Sequence, residues 1–196
     1  MSIIVSIVII LFMAVGICFG VGSIRKLKSA KSDFTSVISK ILEDSEKNNL
    51  LVYLTQENVT DGNPFSNTKL KETFEEYRNA VIHQSKIESA SPYIDITDFF
   101  HSDLLDVLSD DSICELIPGA MTGLGLLGTF LGLVLGISGF DIGNSDKLLS
   151  GIGNLLAGMN TAFYTSILGV TLSLVFSFWY KSTYNAALSE MNHFVD

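Results

Sequence analysis

Reactive side chains are scarce in this chain of 196 residues, which has two cysteines and three histidines. Cys18 lies within a long apolar run and Cys114 at the foot of a second, so they do not form a disulfide framework. No pair of residues has the spacing that zinc ligation requires. His83, His101 and His193 each stand apart from any other His or Cys. The nucleophile motif G-x-S-x-G, the phosphate-binding loop and the dinucleotide fingerprint are all missing. An enzyme is therefore the least supported class, and neither catalytic residues, nor a metal site, nor a cofactor is expected. The net charge of −9 disfavours direct binding of nucleic acid.

Charge itself is missing from three long stretches, residues 1–24, 116–140 and 148–180, which hold no Asp, Glu, Lys, Arg or His. Roughly 20 apolar residues cross a bilayer as a helix, so each stretch is long enough to span. The fold class this predicts is an all-α membrane protein. It has three transmembrane helices and a helical cytoplasmic insert between the first and the second. Ionisable residues inside a membrane usually mark ion paths. Their absence means that any titrating group on such a path must come from a partner chain.

The first stretch has no basic residue before it, while Arg25, Lys26, Lys28 and Lys31 follow. A cleaved secretory signal has the reverse arrangement. The positive-inside rule then makes residues 1–24 an uncleaved helix with its N-terminus outside. Residues 25–115 read as a cytoplasmic, mainly helical region. Phe34, Val37, Ile38, Ile41 and Leu42 recur at helical spacing, as do Leu50, Leu51 and Leu54. Asp61-Gly62-Asn63-Pro64 marks a turn, and Leu70, Phe74, Tyr77 and Val81 a second amphipathic helix capped by Ser66 or Asn67. Ser91-Pro92 breaks the chain before a short helix from 98 to 108. The acids Asp103, Asp106, Asp110 and Asp111 read as a solvated face. The sequon at Asn58-Val59-Thr60 is irrelevant on the cytoplasmic side.

The second transmembrane helix, residues 116–140, has an unusual composition. Pro118, Thr122, Gly125, Thr129, Gly132, Gly136 and Gly139 fall on one stripe, alternately four and three residues apart. Leu124, Leu127, Leu131 and Leu135 fall opposite. Residues 141–154 then form an outer loop and the start of an interfacial helix. The third transmembrane helix, 155–181, ends at Lys181 behind Trp179 and Tyr180, and 182–196 is a cytoplasmic tail. Gly158, Ala162, Thr165, Gly169 and Ser173 give this helix a small, polar face of its own, with Ser166 beside it. Small residues let membrane helices approach closely. The two faces either pack on one another or surround something shared, and composition leaves both open.

The residues IPGAMTGLGLLGTFLGLVLGISGF and LLSGIGNLLAGMNTAFYTSILGVTLSLVFSFWYKSTYN carry a resemblance. They resemble the signature region of the MotA/TolQ/ExbB proton-channel family over roughly the last 80 residues. The first motif falls on Thr122, Leu124, Gly125, Leu126, Leu127, Gly128, Thr129 and Gly132. The second falls on Gly151, Ile152, Leu156, Ala162, Thr165, Ser166 and Gly169. Three spans with an insert after the first resemble the ExbB and TolQ plan more than the four-span MotA plan. Within the family, the run GMNTAFYTSILG and the segment PYIDITDFF are most similar to the ZorA branch, the A subunits of Zorya anti-phage systems.

The resemblance implies a multi-pass subunit of the inner membrane. It implies a homo-pentamer around a dimer of a single-span MotB/ExbD/ZorB-like partner that contributes a membrane Asp. Proton flow, or sodium flow, would turn one set of subunits against the other, in anti-phage defence or in TolQ/ExbB-like energising of envelope transport. Thr129, Thr165, Ser166 and Thr122 would then line the ion path. Gly125, Gly128, Gly132, Gly136, Gly158, Ala162 and Gly169 would pack helices. A long cytoplasmic tail beyond the last span is implied as well. Two other readings stand beside it: a non-conducting oligomeric scaffold, and an enzyme or ligand receptor built on the insert.

Overall fold

The computed structural model describes residues 2–43, 63–87, 94–138 and 145–195. Among them, five α-helices follow one another: α1 (Ser2–Glu43), α2 (Thr68–Ile87), α3 (Ser102–Ser109), α4 (Asp111–Ile137) and α5 (Ser145–Val195). A short 3-10 turn, Ile96–Asp98, precedes α3. No strand occurs among the described residues. Three of the helices, α1, α4 and α5, are long and apolar enough to cross a membrane. The Leu50–Leu54 pattern, Asn58-Val59-Thr60, Asp61-Gly62, Ser91-Pro92 and Gly139 lie outside the described residues.

Helix ends differ from the transmembrane boundaries read from hydropathy, because a change of solvent does not end a helix. The basic cluster at Arg25–Lys31 sits mid-helix in α1, so Phe34 and Val37 continue the same helix. Likewise α5 runs unbroken from Ser145 to Val195 and includes both the interfacial start and the tail. Between α3 and α4 stands Asp110, the one non-glycine residue with positive φ (51°) among those described. Aspartate tolerates this left-handed conformation better than most side chains.

The chain divides into two compact units. The first comprises residues 1–22 and 112–181. In it α4 and α5 run antiparallel, since Gly136 meets Leu155, Gly132 meets Gly158 and Ala162, and Gly125 meets Gly169. α1 lies against both, with Gly16 beside Met121 and Gly20 beside Phe176. Bulky side chains point outward: Phe12, Phe19, Leu126, Phe130, Val134, Phe163, Ile167 and Phe178 are all exposed. An apolar exterior over a small-residue interior is the arrangement that lipid, not water, accommodates.

The second unit comprises residues 23–111 and 182–196. Its centre is a cluster of five phenylalanines from five segments: Phe34, Phe65, Phe74, Phe100 and Phe194. Their centroids lie 5.2 to 6.1 Å apart, mostly edge to face, the geometry that ring quadrupoles favour. Leu70, Tyr77 and Val81 bring α2 to this core, and Ala187 and Met191 bring the end of α5. The 3-10 turn is opened by Asp95. Its carboxylate accepts from the Thr97 amide at 2.9 Å, and hydrogen bonds from Thr97 hold it below the usual carboxylate range.

Polar ties secure the second unit. The Asp33 carboxylate, 9% exposed on α1, accepts from the backbone amides of Ser66 and Asn67, each at 2.8 Å. Asn67 in turn caps α2, its side chain accepting from the Lys69 amide at 2.9 Å. Asp33→Ala leaves two amides without their acceptor. It is expected to cost about 1–3 kcal/mol, read as a lower unfolding midpoint, with exposed Thr35→Ala as the neutral control. The acid run is not simply a solvated face. Asp106 accepts from the Tyr184 hydroxyl and Asp110 pairs with Lys26 at 2.6 Å, while Asp103 is exposed.

Candidate functional site: the glycine seam and its hydroxyls

The face that α4 buries consists of Cys114, Ile117, Met121, Gly125, Gly128, Gly132 and Gly136. Its spacing of three and four residues is that of a left-handed helix pair. Of the stripe expected from sequence, Gly125, Gly132 and Gly136 are at the seam, with Gly128 between them. Thr129 is half-buried at its edge and Thr122 is exposed. The facing side of α5 buries Gly158, Ala162, Thr165, Gly169 and Ser173. The two small faces therefore pack on one another within a single chain.

Backbone meets backbone along this seam. A Cβ built on Gly158 would stand 2.7 Å from the Gly132 carbonyl oxygen, and one on Gly169 2.7 Å from that of Met121. Such positions hold glycine because main-chain atoms cannot move aside. At Gly128 the obstacle is Thr165, whose Oγ1 would be 2.6 Å away. Thr165 thus fills the gap that Gly128 leaves.

The hydroxyls meet at one carbonyl. Thr165, 4% exposed, donates to the Ala162 carbonyl oxygen at 2.8 Å. Thr129 Oγ1 reaches the same oxygen at 3.4 Å and the Gly125 oxygen at 3.2 Å. Thr122 lies apart and donates to Pro118, 3.1 Å away, within its own helix. Ser166 is half-buried, with its Cα against the Gly125 position. Thr129 and Thr165 are thus brought together, Ser166 flanks them, and Thr122 does not join. From α1, Ile9 and Met13 close over the same stretch near Gly128 and Gly169, a contribution that hydropathy alone does not reveal. Among the described residues no three His, Cys, Asp or Glu side chains come together to hold a metal ion.

An all-helical chain with three membrane-length helices, two of them joined by a glycine seam, is a membrane protein of the polytopic helical class. The family model described as anti-phage protein ZorA of the Zorya type I system matches residues 1–195, so the chain belongs to the ZorA-like family. Over 164 residues it is 26% identical to the Zorya protein ZorA of Escherichia coli O139:H28 (strain E24377A / ETEC), covering 80% of this chain and 21% of that protein. Over 81 residues it is 36% identical to the Zorya protein ZorA of Escherichia coli strain ATCC 8739, covering 40% of this chain and 14% of that protein. The chain thus spans about a fifth or less of the length of these relatives.

Proposed function

We propose that this chain is the membrane portion of an ion-driven motor subunit in an anti-phage system of the Zorya type. Five copies surround a dimer of a single-span partner in the inner membrane, and the partner supplies a membrane Asp. The second unit lies on the cytoplasmic side, as the basic residues after the first span direct. Protons are the ion, with sodium as the alternative, and the chain performs no enzymatic step of its own. The observation that supports this reading is the pair Thr129 and Thr165, whose hydroxyls share one carbonyl within spans that hold no charged residue. An acid entering hydrocarbon is costly when charged, and its protonation removes that cost. A membrane potential of 100 mV provides about 2.3 kcal/mol per elementary charge to drive the movement.

A second reading has its own support. The glycine face of α4 is occupied by α5 of the same chain, as a non-conducting scaffold requires. Ion flux separates the two. Vesicles carrying the protein with its partner are expected to take up protons, or sodium when that ion is supplied instead. Flux should fall at least about tenfold in Thr129→Val and in a partner lacking its membrane acid. Full flux in both variants, or assembly without any flux in the wild type, would leave the scaffold.

A further inference from the structure

The motor reading places a partner acid beside Thr129; the direction of the hydrogen bonds there specifies which form of that acid is held, an inference that rests on that reading. A threonine hydroxyl has one hydrogen to donate and two lone pairs with which to accept. Thr165 spends its hydrogen on the Ala162 carbonyl at 2.8 Å. Thr129 has two main-chain acceptors within reach, Gly125 at 3.2 Å and Ala162 at 3.4 Å. Both hydrogens point into backbone, and what remains on each oxygen is acceptor capacity. Thr165 is closed off by the seam, whereas Thr129 is half-buried at its edge and its oxygen can be reached.

We propose that Thr129 is an acceptor site for a neutral, protonated carboxylic acid on the partner helix, and not a donor to a carboxylate. Its surroundings agree. Gly125 and Gly128 of α4, Ala162 and Thr165 of α5, and Ile9 of α1 bring no ionisable group to it. Tyr164, the nearest titratable side chain along α5, is 63% exposed. A carboxylate here would meet oxygen lone pairs and apolar carbon, whereas a carboxylic acid would find a partner for its O–H. Thr129 then holds the acid only while it carries its proton and lets it go on ionisation. The hydroxyl selects the protonated step of the cycle.

The sign of a shift tests this. A hydrogen bond to the neutral form stabilises it, so removing the acceptor must make the acid lose its proton more easily. With the full complex in vesicles, the partner acid is titrated by its infrared carboxyl band. Its half-protonation pH is expected to fall by about 0.5–1 unit in Thr129→Val, a three- to tenfold loss of proton affinity. Thr129→Ser, which keeps the hydroxyl, should retain the wild-type value. An unchanged value would overturn the proposal, and a raised one would make Thr129 a donor to the carboxylate.

A second measurement uses the partner with Asn in place of its acid, which keeps an N–H donor. Its capture should weaken about tenfold with Thr129→Val, while capture of a Leu variant does not change. Equal losses for Asn and Leu would overturn the assignment. Failure of the motor reading shows elsewhere, as flux that persists without the partner acid.

Discussion

Gly158→Val is expected to force α4 and α5 apart. A side chain there points at the Gly132 carbonyl oxygen 2.7 Å away and the Gly136 Cα at 3.2 Å, both main-chain atoms of a helix that cannot rearrange locally. Overpacking a close contact costs about 1–3 kcal/mol and occasionally more. Three added carbons against backbone place this substitution at or above the upper figure. Gly153 provides the control. It lies on the same helix with nothing within 4 Å of its Cβ position, so Gly153→Val should cost under about 0.5 kcal/mol. Reversible unfolding in mixed micelles reads both. Equal losses at the two positions would mean that helix propensity, and not the seam, sets the cost.

Phe34→Ala is expected to be the most damaging single change in the second unit. The ring is fully buried and meets Phe65 and Phe194 at 5.6 Å and Phe100 at 6.1 Å, so it joins four segments of chain at one point. Large-to-small changes at such a position cost about 3–5 kcal/mol, the lost transfer energy plus the cavity left behind. Hydrogen exchange at amides of α2 should quicken by at least about a hundredfold. Phe34→Leu should recover part of the loss. If α2 retained full protection in Phe34→Ala, the cluster would not be what holds the unit together.

The seam and the cluster differ in how well sequence announces them. The three spans stand out because hydrocarbon tolerates no charge over some 20 residues, a one-dimensional signal. Gly125, Gly132, Gly136, Gly158, Ala162, Thr165 and Gly169 were assignable to packing faces because small residues recur at helical spacing, and all seven are buried. Fine rotation is harder to read. Thr122 and Thr129 share the stripe by count, yet Gly128 takes the centre, because one residue rotates a helix by about 100° and small neighbours look alike. Which partner each face meets is not written locally, so the choice between mutual packing and a shared channel needed three dimensions.

The phenylalanine cluster was less legible still. Phe65 precedes α2 outside any periodic run, and Phe194 lies 160 residues from Phe34. Neither has a pattern that ties it to the others. The continuity of α1 through Arg25–Lys31 was missed for a different reason: lysine and arginine mark a change of surroundings but are good helix formers.

The unbroken α5 has a consequence for insertions and deletions. Its 51 residues rise about 77 Å, against roughly 30 Å of hydrocarbon, so more than half its length extends beyond the bilayer core. Buried positions follow one another at intervals of three and four from Ala162 through Ser173 and Tyr180 to Ala187, Met191 and Phe194. Removing one residue near Lys181 would turn everything after it by about 100° and bring Phe194 out of its cluster. Removing seven would keep the phase and shorten the rod by about 10 Å. The length of this helix can therefore change only in whole repeats, which ties lineage variation in α5 to steps of seven or eleven residues.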